Sequence, residues 1–324
     1  VSATTSDVAG LVARAAAGHR GALARLITRI ERGGPEGDAV AARAFAAGDD
    51  AHVVGITGAP GAGKSSLTGH LLSLLVAAGR RPAALAIDPT SPITGGAILG
   101  DRVRMDGLAD GAFVRSMATR GQRGGLALAV PPTLRLLAHV GHDPLVVETT
   151  GVGQVEVDIA SAADTTVLVV APGWGDAVQA SKAGLLEVAD VLVVNKADRP
   201  GAREVRRDLE LMLDLGRISG LEERAGRRPP VVTTTSTTGE GVEEVLAAIE
   251  EHRAHVLASG ELAAQRARRR RIEVAGRVER ILAARAAEIL DSETGREALE
   301  AVGEGRLSPA GAAESVVREI AGAL

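Results

Sequence analysis

No cysteine occurs in the 324 residues, which excludes disulfides, thiolate metal sites and cysteine nucleophiles together and makes the cytoplasm the simplest expected compartment. Aromatics are nearly as scarce. They form 1% of the chain against 45% hydrophobic residues, so Ala, Val and Leu must fill the interior, which favours close-packed helices and a Val-rich sheet. No apolar run reaches the roughly 18 residues of a spanning helix. Val1-Ser-Ala-Thr-Thr-Ser-Asp7 also lacks the basic and apolar blocks of a secretory signal, so a soluble protein with no membrane partner is expected. A strong excess of either charge is missing too, since a net charge of −4 offers no overall attraction to nucleic acid or anionic lipid. Arg266–Arg271 holds five Arg in six residues, but no aromatic or Gly-rich pattern accompanies it. It reads as a solvated helix face, and no nucleic-acid partner is expected. The seven His are scattered without ligand spacing, and His252 and His255 read as helix-surface residues.

What is present is an alternation. Residues 1–50 carry apolar residues at three- and four-residue spacings (Val8, Leu11, Val12; Leu23, Leu26, Ile27, Ile30), broken by Gly33-Gly34-Pro35, which reads as a helical lead-in. Short apolar runs then alternate with helix-length stretches: Val53–Thr57, Ala83–Ile87, Leu145–Val147, Thr166–Ala171, Val191–Val194 and Val231–Thr234. That alternation predicts an α/β domain over 51–255 with a mostly parallel sheet whose strands are buried on both faces. From 256 to 324 the composition shifts to Ala, Arg and Glu at helical spacing, with Val274, Val278, Ile281, Leu282 and Ile289 as the apolar positions, and predicts a C-terminal helical extension.

Gly58-Ala59-Pro60-Gly61-Ala62-Gly63-Lys64-Ser65, followed by Ser66, lies directly after the first strand and before the helix pattern Leu67, Leu71, Leu72, Leu75. Glycines let successive N–H groups and the helix N-terminus face phosphates, Lys64 reaches β- and γ-oxygens, and the Ser65 hydroxyl ligates Mg²⁺. This is the pattern of a P-loop NTPase. Asn195-Lys196-Ala197-Asp198 follows another strand, where an open sheet presents its ligand loops. Asp198 can accept hydrogen bonds from N1–H and the 2-amino group of guanine. Adenine offers no such donors, so GTP and GDP are the expected ligands. Ser236, Thr237 and Thr238 would close over base and ribose. Leu145-Val-Val-Glu148-Thr-Thr-Gly151 occupies the place of the second metal motif, with the longer side chain of Glu148 reaching Mg²⁺ through a water and Gln154 orienting the attacking water. Asp88 and Asp101 are further candidates for the metal site, although Mg²⁺ takes only one or two carboxylates directly.

With the P-loop, Ala86-Ile-Asp-Pro-Thr-Ser91, Thr94–Met105, Val147–Gln154 and Glu187–Asp198 in this order, the chain resembles the MeaB/ArgK family of GTPases. The resemblance covers roughly residues 50–255. It implies a P-loop GTPase of the group whose second metal motif carries Glu. It further implies a chaperone of adenosylcobalamin-dependent acyl-CoA mutases that gates cofactor loading, and a homodimer joined through the C-terminal extension. A third switch is implied in Gly173–Lys182, with Asp176 and Lys182 as its working charges. Arg115–Gly125, Trp174 and Ala177 depart from the family pattern, so methylmalonyl-CoA mutase and a branched or hydroxylated acyl-CoA mutase both stand as partners. Nickel or cobalt delivery lacks a Cys- or His-rich segment here. A protein kinase is disfavoured by the guanine loop and the missing kinase motifs.

Overall fold

Seven runs pair into one parallel sheet: β1 (Val53–Gly58), β2 (Ala83–Asp88), β3 (Phe113–Ala118), β4 (Leu145–Thr149), β5 (Thr165–Val170), β6 (Val191–Asn195) and β7 (Val231–Thr234). Their spatial order is β3-β2-β4-β1-β5-β6-β7. The computed structural model describes residues 2–46, 51–88, 111–118, 125–149, 162–173, 188–218 and 227–322. The helices are α1 (Ser2–Ala16), α2 (Arg20–Arg32), α3 (Gly34–Phe45), α4 (Lys64–Ala77), α5 (Gly125–His139), α6 (Ala202–Ile218), α7 (Val242–Ala258), α8 (Glu261–Leu290), α9 (Glu293–Gly303) and α10 (Pro309–Gly322).

Alternate residues of a strand face opposite sides, and both sides of this sheet are covered. Val53, Leu145 and Val147 pack with Leu23, Leu26, Ile27 and Val40 of the N-terminal helices and with Leu136 and Leu137 of α5. Val54, Ile56 and Val146 face the other way, onto Leu67, Leu71 and Leu72 of α4. Farther along, Val167, Val169, Val191 and Val193 meet Val245 and Ile249 of α7. Leu168, Val170, Leu192 and Val194 pack with Leu209 of α6. Each such side chain contributes about 1.5–3 kcal/mol on burial, so the helical lead-in is held by the same core as the sheet.

Six of the seven strands coincide with the apolar runs of the sequence, and β3 does not. Arg115 and Ser116 interrupt its apolar pattern, which an edge strand tolerates. The Arg115 guanidinium reaches across to α2, to Glu31 at 2.6 Å and the Thr28 hydroxyl at 3.1 Å.

At the amino edge of the sheet three aspartates precede strands and accept the N–H of a neighbour. Asp143 takes His52 N (2.9 Å), Asp164 takes Val53 N (2.9 Å) and Asp190 takes Thr166 N (2.7 Å). Asp164 is fully buried and also accepts from Arg266 at 3.0 Å and Arg269 at 2.6 Å. Burial alone would raise its pKa, but the Arg269 and Arg266 guanidiniums and the Val53 N–H outweigh that and hold it low. Two arginines of the block expected to be a solvated face therefore turn inward, because a buried carboxylate needs positive partners. His252 is a second correction. It is 2% exposed, with its ring Nδ1 2.8 Å from the Thr165 hydroxyl, which in turn lies 3.0 Å from His52 Nε2.

The chain divides into two compact units, Val1–Arg269 and Arg270–Leu324. The second has a small core of Ile289, Val316 and Ile320. It leaves Val274, Val278 and Ile281 exposed. No helix among the described residues is long and apolar enough to cross a membrane.

Candidate nucleotide site

The carboxyl ends of β1, β4, β6 and β7 carry most of the predicted site residues that the structure describes. After β1 the chain turns through Gly58–Gly63 into α4, whose first residues, Lys64 and Ser65, are buried. Gly58 has φ 131°, and a Cβ there would lie 2.0 Å from Val169 O, so only glycine lets the end of β1 lie this close to β5. Gly63 has φ 94°, and a Cβ would meet Asn195 Nδ2 at 2.2 Å. Ala59 is half-buried and Ala62 buried, whereas Pro60 and Gly61 form the exposed crest of the loop. The Lys64 ammonium donates to Gly58 O at 2.6 Å and Ala59 O at 2.8 Å, which fixes it beneath the arch. No side chain caps α4, so the helix N-terminus offers its N–H groups and positive end toward this loop. Ser66 is half-buried next to Ser65.

Asn195, at the end of β6 and 1% exposed, ties the Gly58–Ser65 loop to the turn after β7. Its Nδ2 donates to Ala62 O at 2.7 Å. Its Oδ1 accepts from Ser236 N (3.0 Å), Ser236 Oγ (2.7 Å) and Thr234 Oγ1 (3.0 Å). Lys196 adds a second tie, Nζ to Gly61 O at 2.6 Å, from a backbone at φ 60°. A lysine in that left-handed region is uncommon, and such strain gathers at ligand sites. Asp198 is exposed. It has no hydrogen bond or ion pair among the described residues. Thr237 and Thr238 are exposed on the turn after β7, where the Thr238 and Gly239 N–H groups both reach Thr235 O at 3.0 Å.

Glu148, 3% exposed in β4, stands beside the start of α4. Its Oε1 accepts from Ser65 Oγ at 2.6 Å and its Oε2 from Thr68 Oγ1 at 2.7 Å. A hydroxyl and a carboxylate are the hard oxygen donors Mg²⁺ takes, so the residues present fit the ion. Thr68 was not foreseen from the sequence. The available signal was a hydroxyl three residues after Ser65, on the same helical face. Asp88 ends β2, on the same sheet edge; its side chain, and Asp101, Gln154, Asp176 and Lys182, lie outside the described residues.

A family model described as methylmalonyl Co-A mutase-associated GTPase MeaB matches residues 23–290. A Pyrococcus horikoshii protein named as a GTPase is 47% identical over 265 residues, covering 81% of this chain and 82% of the relative. The GTPase ArgK of Escherichia coli is 34% identical over 267 residues, 79% of each chain. The mouse methylmalonic aciduria type A homolog, mitochondrial, is 36% identical over 219 residues, 66% of this chain and 52% of the mouse protein. Among solved structures, that of a LAO/AO transport system kinase superposes with a TM-score of 0.70 at 25% identity, covering 97% of this chain and 98% of the other.

Proposed function

The chain belongs to the MeaB family of GTPases, and on that premise we propose that it is a Mg²⁺-dependent GTP switch serving an adenosylcobalamin-dependent acyl-CoA mutase. The observation that supports this reading is that the matched span, residues 23–290, contains the phosphate loop, the Glu148 strand and the guanine loop together. The mouse relative, named for methylmalonic aciduria, points to the same chemistry. Methylmalonyl-CoA mutase and a branched or hydroxylated acyl-CoA mutase are the candidate partners.

In this reading the backbone N–H groups of Gly58–Ser65 and the Lys64 ammonium hold the β- and γ-phosphates. Ser65 and Glu148 hold Mg²⁺, with Asp88 and Asp101 as further carboxylates. The ion, when bound, neutralises charge on the phosphate oxygens. Asp198 accepts the guanine N1–H and 2-amino group, Asn195 keeps the base and phosphate loops in register, and Ser236, Thr237 and Thr238 close over the nucleoside. Lys196 stiffens the crest of the P-loop through Gly61. Gln154 orients the attacking water, and Asp176 and Lys182 relay the nucleotide state. Phosphoryl transfer depends on positioning and charge stabilisation. A partner that orders the switch segments therefore accelerates it.

The exposed positions Val274, Val278 and Ile281 recur at helical spacing on α8 and support homodimerisation through the C-terminal extension. The test is GTP turnover with and without a purified mutase. Faster turnover with one mutase is the expected result; equal rates with each mutase remove the relay. Labelled GTP and ATP in parallel separate this reading from a kinase, which leaves phosphate on protein.

A further inference from the structure

We propose that Thr68 is a positioning residue for the Mg²⁺ site, holding the Glu148 carboxylate oxygen that Ser65 does not reach. The proposal rests on the nucleotide-site reading above and adds a residue to it. A hydroxyl inside a helix ordinarily turns back onto the carbonyl four residues earlier. Thr28 does so to Ala24 O at 2.9 Å, Thr133 to Ala129 O at 2.7 Å, and Ser73, on the same helix as Thr68, to Gly69 O at 3.0 Å. Thr68 does otherwise. Its side chain is fully buried and its hydroxyl donates to Glu148 Oε2 at 2.7 Å across the helix–sheet boundary.

Spacing explains how one carboxylate meets two hydroxyls. Ser65 and Thr68 are three residues apart on α4 and so share a face, and that face meets the end of β4. Ser65 takes Oε1 and Thr68 takes Oε2. Turning the carboxylate about its last bond would break both contacts. A glutamate has one more rotatable bond than the aspartate more usual at this position of P-loop NTPases, so a second anchor offsets its greater freedom. Partners that orient a metal site from behind typically matter about 10–100-fold in metal affinity. Thr68 is placed to act in that way, through Glu148 and not on the nucleotide.

The test uses the full chain with Thr68→Val, which keeps the shape and removes the donor, alongside Thr68→Ser and Ser73→Ala. Binding and release of a fluorescent GDP analogue are followed over a Mg²⁺ titration and in chelator. Thr68→Val is expected to raise the Mg²⁺ concentration that half-maximally slows GDP release by about tenfold. Thr68→Ser restores the parent midpoint, Ser73→Ala matches it, and affinity in chelator is the same for all. An unchanged midpoint in Thr68→Val overturns the proposal. So does a matching loss of affinity in chelator, which would mark a general packing defect. Failure of the parent protein to bind the GDP analogue would strike the nucleotide-site reading itself and is seen separately.

Discussion

Asp164 and Asp198 stand at opposite edges of the same sheet, one just before β5 and the other just after β6. Asp164 is fully buried and accepts from Val53 N, Arg266 and Arg269. Asp198 is exposed and has no polar partner among the described residues. Asp143 and Asp190 repeat the first pattern, each accepting a strand N–H at the amino edge. At the carboxyl edge the loops are instead tied to one another through Asn195 and Lys196, while Asp198 stays exposed. The same side-chain chemistry holds the fold where its valences are filled from within, and is available to solvent or a ligand where the carboxylate is exposed. Burial and partners, and not residue type, separate the two roles.

The largest expected effect is the removal of the buried carboxylate. Asp164→Ala leaves the Val53 N–H without its acceptor and two guanidiniums without their counter-charge. Breaking a buried pair in this way costs about 3–5 kcal/mol, so the circular-dichroism melting temperature should fall by roughly 10 °C. The preference for GTP over ATP should not change. A loss of guanine preference in this variant would erase the distinction between the edges.

Acid probes the same edge less severely. Burial lowers His52 from an ordinary value of 6.5 to about 4, against the opposing pull of Asp164. The unfolded chain therefore binds the extra proton first, and stability present above about pH 6.5 is lost as the pH falls toward 4. The full loss over that window is about 3 kcal/mol. Asp164 and Asp143, both held below the usual carboxylate range, lose their contribution only at lower pH. Melting curves from pH 7 to 4 should show the decline, and His52→Gln should flatten it. A parent protein equally stable at both ends would rule out a neutral buried His52.

How much of this could be read beforehand divides along the same line. The two-face-buried strands announce themselves as apolar runs, and the glycines before Lys64 and the Asn195–Asp198 loop encode backbone geometry within a few consecutive residues. Those features are local, and the sequence shows them. Contacts between distant segments are not local. Arg266 reads as a solvated residue until Asp164, 102 positions away, is brought beneath it, and His252 reads as a surface residue until Thr165 meets its ring. Thr68 is hidden differently. A hydroxyl three residues after Ser65 looks like an ordinary helix residue unless the end of β4 is known to face it. β3 does not stand out as an apolar run, because an edge strand tolerates Arg115, whose partner Glu31 lies 84 residues earlier.

The smallest change in stability belongs to the open edge, and it has the sharpest readout. In the proposed site, Asp198→Ala removes the acceptor of two guanine donors. A hydrogen bond to a charged group is worth about 1.5–3 kcal/mol, so losing two of them at the low end of that range lowers GDP affinity by roughly 100-fold. The same variant should melt with the parent, since an exposed carboxylate with no partner among the described residues holds none of them in place. Calorimetric titration with GDP and ADP, read beside a melting curve, tests both halves. If GDP affinity were unchanged, base recognition would lie elsewhere. If the melting temperature fell as far as in Asp164→Ala, Asp198 would be part of the scaffold, and exposure would not be what separates a binding carboxylate from a structural one.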